Sequence, residues 1–138
     1  MAVNTRTEYA LRALIEIMES GDNAISAAEI CRRQSLPKKY IEHLLAGLKC
    51  AGFISSTAGS KGGYLLAKQP DEIGLYAIMN AVEDTSLELN CNVQEKRFCL
   101  GHDCGLHPLW TKLTCEIKEI LERYTLQTIY DEKYERKT

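Results

Sequence analysis

The stretch CNVQEKRFCLGHDCGLH, residues 91–107, carries three of the chain's six cysteines and two of its three histidines. Structural thiols are usually buried among apolar neighbours. These lie among Asn, Gln, Lys, Arg, Asp and Gly, so Cys91, Cys99, Cys104 and His107 read instead as metal ligands. Glycines at 101 and 105 let such a segment fold around a centre. Three thiolates and an imidazole suit either tetrahedral zinc or an iron–sulphur cluster, since both take soft sulphur donors. Spacing does not choose between them: of these four, only Cys104 and His107 show a two-residue gap, and no C-x-x-C pair of the zinc-ribbon kind is present. His102 reads as a solvent-exposed neighbour. Glu8 is a further candidate, because a carboxylate can ligate iron and Glu8 lies near an end that a second subunit could approach. Cys31, Cys50 and Cys115 stand apart inside helical patterns and read as small buried or partly exposed residues.

A second group of polar residues suits nucleic acid. Lys38, Lys39, Glu42 and His43 fall opposite the apolar face of a helical pattern, at its N-terminal end. That end of the second helix of a helix-turn-helix motif enters the major groove. Glu42 could accept from a cytosine amino group, His43 could bond a base edge, and the lysines could reach guanine or phosphate. The glycine-rich run at 59–63 presents Ser60, Lys61 and Gly62 where the backbone can approach a phosphate chain closely. Arg6, with Arg12, Arg32 and Arg33, adds candidate phosphate contacts.

The elements that must position these groups follow from periodicity and punctuation. TRTEYALRALIEIMESG spaces its apolar residues by three and four, predicting a helix with a capping box at Thr5 and Glu8 and a stop at Gly21. A short helix starts at a second box, Ser26 and Glu29, and a third runs from Pro37 to Gly52 with Tyr40, Ile41, Leu44, Leu45 and Leu48 on one face. FISS and YLLA, joined by TAGSKGG, predict a hairpin. Three helices and a hairpin make a winged helix-turn-helix. Beyond Pro70, EIGLYAIMNAVED predicts a helix that packs back on this unit. After the cysteine run, Leu109, Leu113, Ile117, Ile120 and Tyr124 recur at spacings of four, four, three and four, near a coiled-coil seam. Such a stripe on an appended helix predicts a homodimer. The expected fold is therefore mainly α with a small β-hairpin wing. Residues 1–84 form the winged domain with its packing helix, 85–107 the cysteine-rich loop, 108–130 one long dimerisation helix and 131–138 a frayed charged tail.

Composition agrees with a globular domain of 138 residues, at 45% hydrophobic and 26% charged. No apolar run approaches the roughly 20 residues that cross a bilayer, and the N-terminus has no signal-peptide core, so a cytoplasmic protein is expected. The net charge of −2 is unevenly spread. Residues 1–70 hold nine Lys/Arg against six Asp/Glu, and residues 71–138 hold eight against thirteen. A basic front half can face double-stranded DNA while the acidic rear faces elsewhere. No paired general acid and base, nucleophile motif or cofactor cradle is present, which argues against an enzyme.

TEYALRAL, YIEHLLAGLKCAGFISS, GSKGGYLLA and CGLHPLWTKL together resemble the Rrf-type winged helix-turn-helix transcription regulators. The likeness is nearest their iron–sulphur (IscR) group, extends also to the nitric-oxide-sensing (NsrR) group, and runs to about residue 130. It implies a cluster held by Cys91, Cys99 and Cys104, with His107 matching the fourth ligand of the IscR group, where the cluster is of the 2Fe-2S kind. Other members use an acidic residue near the partner's N-terminus, and Glu8 stands at that place. Cys91 to Cys99 and Cys99 to Cys104 leave gaps of seven and four residues, where the family more often has five and five. Ala58 replaces an arginine at the wing. The implied function is a regulator sensing cluster status, redox state or nitric oxide; a cluster-free thiol or zinc sensor of the same fold is the alternative.

Overall fold

The computed structural model describes residues 4–87 and 104–135. Helix α1 is Thr5–Glu19, α2 Ala27–Gln34 and α3 Lys38–Cys50; β1 is Ile54–Thr57 and β2 Gly63–Leu66. A 3-10 turn at Pro70–Glu72 precedes α4, Leu75–Ala81, and the C-terminal part holds α5, His107–Glu122, and α6, Leu126–Glu135.

The three front helices enclose one core. Ala10, Ala13, Leu14 and Ile17 of α1 meet Ile30 of α2 and Ile41, Leu44, Leu45 and Leu48 of α3, all essentially buried. These are the positions spaced by three and four, and burying a large aliphatic side chain stabilises by about 1.5–3 kcal/mol each. Ile73, Ile78 and Leu126 extend the same core toward the C-terminal helices.

Helix ends depart from the sequence pattern in instructive ways. Asn4, not Thr5, caps α1: its extended backbone lets its side chain accept from the Arg6 N–H at 2.9 Å, and Thr5 is already helical. Ser26 caps α2 as expected, accepting from Glu29 N–H at 3.2 Å. Gly52 follows α3 with φ +81°, a conformation that glycine adopts without penalty. Ile73 lies ahead of α4 in an extended conformation.

The largest departure is at the C-terminal side. The expected single helix over 108–130 is two helices, broken at 123–125. Thr125 and Thr128 cap the start of α6 reciprocally, at 2.8 and 3.2 Å. The backbone at the break pairs with the strand-like segment before α4. Leu75 N–H donates to the Tyr124 carbonyl and Leu126 N–H to the Ile73 carbonyl, both at 2.8 Å. Leu126 can thus enter the core, where it is fully buried. Tyr124 consequently lies in the elbow and not on a continuing seam. The tail expected to fray is helical to Glu135, because Lys133 ion-pairs with Glu19 at 3.4 Å and the Tyr134 hydroxyl donates to the same carboxylate. Among the described residues no helix is long and apolar enough to cross a membrane.

Candidate nucleic-acid interface and cysteine cluster

The turn between α2 and α3 is three residues long. Ser35 takes a left-handed conformation (φ 53°, ψ 49°), Leu36 buries its side chain and donates its N–H to the Cys31 carbonyl at 3.1 Å, and Pro37 caps α3. Pro37 has no N–H to lose there, and its fixed φ suits a helix entry. With the apolar face of α3 held against the core, Lys38, Lys39, Glu42 and His43 are exposed. Among the described residues neither lysine is engaged in an ion pair. Ala46 and Cys50 continue this exposed strip one and two turns on; the spacing 39, 43, 46, 50 carried that signal in the sequence.

Wing register is Ile54↔Leu66, Ser55↔Leu65, Ser56↔Tyr64 and Thr57↔Gly63. A third piece of backbone joins it: Ile25, just before α2, exchanges both hydrogen bonds with Tyr64, at 3.1 and 2.8 Å. Gly63 permits this approach, since a Cβ there would lie 2.5 Å from the Ile25 carbonyl oxygen. Lys49 Nζ also donates to Ser56 Oγ at 2.7 Å, tying the end of α3 to β1. Ser60 and Lys61 are exposed at the tip. Gly62 is half-buried, its missing Cβ making room for the Thr57 carbonyl, so its role there is the turn itself.

The arginines have partners within the chain. Arg6 lies 3.7 Å from the Glu83 carboxylate and 3.4 Å from the Glu83 carbonyl. Arg12 bonds Gln34, and Arg32 and Arg33 both grip Glu29. These two guanidiniums hold the Glu29 carboxyl down at about 2. Burial and the neighbouring Glu42 carboxylate push the Cys31 thiol up, which keeps it protonated and unreactive.

Of the candidate metal ligands, Cys91 and Cys99 lie outside the described residues, as does His102. Cys104 is a half-buried free thiol, and its carbonyl accepts the His107 N–H at 3.3 Å. His107 is exposed as the first residue of α5. Glu8 is exposed on α1, with Arg12 at 3.8 Å as a loose partner. Cys104, His107 and Glu8 are therefore accessible donors of the soft-sulphur, imidazole and carboxylate kinds that iron–sulphur ligation uses.

From His107 on, α5 buries none of its residues within the chain. Leu109 is 47% exposed, Leu113 37%, Ile117 38% and Ile120 48%, and Leu106 and Trp110 extend the same face toward Cys104. Those last two were absent from the seam read in the sequence, although their spacing from Leu109, Leu113 and Ile117 continues it.

The profile of the family described as "Rrf2: Iron-dependent Transcriptional regulator" matches residues 3–132. The chain belongs to the Rrf2 family. It is 34% identical over 128 residues to the HTH-type transcriptional regulator IscR of Sodalis glossinidius, covering 91% of this chain and 76% of that one. To the regulator of the same name from Pectobacterium atrosepticum it is 30% identical, covering 96% and 81%. Among solved structures, T. potens IscR superposes with a TM-score of 0.77 at 27% identity, covering 100% of this chain and 92% of that chain. The B. subtilis global cysteine regulator CymR gives 0.75 at 25%, covering 95% and 97%. This Rrf2 member is thus a DNA-binding transcriptional regulator and not an enzyme, and its α2–α3 unit and wing form the winged helix-turn-helix of that family.

Proposed function

We propose that this regulator is a homodimer that reads iron–sulphur status, redox state or nitric oxide through a cluster, of the 2Fe-2S kind, held by Cys91, Cys99, Cys104 and a fourth ligand, His107 or Glu8. The observation that carries the reading is the placement of Cys104 and His107 at the very start of α5, whose apolar face is uncovered along its whole length. When bound, an iron–sulphur cluster supplies a redox couple and a centre that iron scarcity or nitric oxide can dismantle. The chain's own part is mechanical. Ligation through Cys104 and His107 fixes the first turn of α5, and the seam of Leu109, Leu113, Ile117 and Ile120 closes on the same seam of a second copy. Two α3 helices then face a two-fold DNA site, with Lys38, Lys39, Glu42 and His43 at base edges and phosphates and Ser60 and Lys61 at the flanking backbone. A change at the ligands biases the dimer between two arrangements of those helices, which is the differential stabilisation that any such switch requires.

Anaerobic purification tests the sensing half. A coloured protein with iron and sulphide, whose spectrum changes in either His107→Ala or Glu8→Ala, supports the reading and names the fourth ligand. A folded, colourless protein without iron or sulphide overturns it, and zinc in that sample or reversible thiol oxidation would favour the cluster-free alternative. For the DNA half, a two-fold operator bound equally well after joint replacement of Lys38, Lys39 and His43 would reject the recognition-helix assignment.

A further inference from the structure

The chain leaving α4 is wedged between α1 and the recognition helix. Helix α4 ends at Ala81, Glu83 takes a left-handed conformation (φ 58°), and Asp84 turns inward until only 8% of it is exposed. One carboxylate oxygen of Asp84 accepts from the Thr7 hydroxyl of α1, a residue only 3% exposed. The other accepts from the N–H and hydroxyl of Ser86 at 3.0 and 2.6 Å. A buried carboxylate left without such partners is expensive, so this link fixes where the α4 exit sits against α1.

On the other side the last residue of α4 meets α3 backbone to backbone. A Cβ at Gly47 would lie 2.5 Å from the Ala81 carbonyl oxygen, so the two backbones touch at that point, beside a pocket lined by His43, Ala46, Cys50, Val82 and Glu83. Helix α1 also touches α3 directly, two residues beyond Thr7. Tyr9 and Tyr40 meet edge to face, with ring centroids 5.7 Å apart and an interplanar angle of 83°. The recognition helix is therefore gripped at Tyr40 by α1 and at Gly47 by α4, points about 10 Å apart along its axis. The Thr7–Asp84 link closes the triangle.

We propose that Thr7 and Asp84 are positioning residues for DNA recognition: by seating the α4 exit they set the tilt of α3, and with it the match between the exposed residues of α3 and base edges. The role goes beyond the sensing proposed above, because it belongs to a single subunit and holds whether or not the cysteine run carries a cluster. Tilt governs base contacts more than phosphate contacts, since long lysine and arginine side chains follow a small shift and short base-reading side chains do not.

The test uses the full chain, an operator duplex selected from a random pool with the wild-type protein, and a scrambled duplex of equal length. Thr7→Val keeps the shape and removes the hydroxyl; Thr7→Ser restores it. Thr7→Val is expected to lower the ratio of operator to scrambled affinity by roughly tenfold, the scale of one mismatched base pair. The salt dependence should stay unchanged and Thr7→Ser should remain within about twofold of wild type. Thr128→Ala, which weakens the α6 cap far from this triangle, provides a variant of reduced thermal stability for comparison. A Thr7→Val ratio within about twofold of wild type, or one that falls no further than that of Thr128→Ala, overturns the proposal. Should Thr7→Val fail to fold, Thr7→Ala, which also removes the hydroxyl and sets no methyl against the Asp84 carboxylate, undergoes the same comparison under the same criteria.

Discussion

Replacing Gly63 by alanine probes how the wing is attached. The added Cβ would fall 2.5 Å from the Ile25 carbonyl oxygen and 2.8 Å from the Ser26 nitrogen, both backbone atoms that cannot swing aside. Relief requires the wing to move off Ile25, which breaks the pair of hydrogen bonds between Ile25 and Tyr64. Two such bonds contribute about 0.5–1.5 kcal/mol each, so a loss of roughly 1–3 kcal/mol is expected. For a chain of this size that lowers Tm by roughly 4–12 °C. The displaced wing would also carry Ser60 and Lys61 out of register with α3, so affinity for DNA should fall along with Tm. Thermal unfolding followed by circular dichroism and titration of a labelled operator duplex measure both quantities. A variant within 1 °C of wild type by Tm, with unchanged DNA affinity, would refute the argument that this close approach fixes the wing.

Two further outcomes follow from the same structure. Ile120→Glu places a charge in the exposed seam of α5 and is expected to yield a monomer by light scattering, with little change in the unfolding of each subunit because α5 buries none of its residues there; a dimer at micromolar concentration would count against the seam. Acid should weaken the fold in a defined window. Burial pushes the Asp84 carboxyl up, but hydrogen bonds from Ser86 and Thr7 outweigh it and leave it below its usual value, while Glu29 is held at about 2 by Arg32 and Arg33. Depressed carboxyls stabilise fully above their unfolded values of about 4 and lose that contribution as pH falls through the folded ones. Denaturant midpoints should therefore hold steady down to about pH 5 and decline toward pH 2, with a shallower decline in Asp84→Asn; an identical profile in that variant would dispose of the assignment.

Most of the front half was legible because its helices obey local rules. The apolar spacing of α1 and α3 anticipates buried Ala10, Leu14, Ile15 and Ile17 and buried Ile41, Leu44, Leu45 and Leu48, while Leu11, Met18 and Tyr40 of the same pattern are half-buried at its margins, and the glycines at 62 and 63 marked the hairpin turn. The exposed strip of Lys38, Lys39, Glu42 and His43 could be named because burying one face of α3 leaves the opposite face to solvent. The shift of the α1 cap from Thr5 to Asn4 was harder to read, since both residue types can cap and only backbone conformation distinguishes them.

The C-terminal helix break was hidden for a different reason. Leu109, Leu113, Ile117, Ile120 and Tyr124 keep coiled-coil spacing up to the elbow, so periodicity alone carries the helix straight through it. The break exists because the backbone at 124–126 can pair with 73–75 and because the core has room for Leu126, partners about fifty residues away in sequence. The sequence by itself determined where the thiols, imidazoles and cations stand along the chain and which side of α1 and α3 is apolar, because those depend on side-chain chemistry and a helical period. Only the tertiary structure decided that Arg6 is committed to Glu83, that the wing hangs on Ile25, and that Thr7 and Asp84 join α1 to the exit of α4. Each of those depends on close approach between segments that no local pattern brings together.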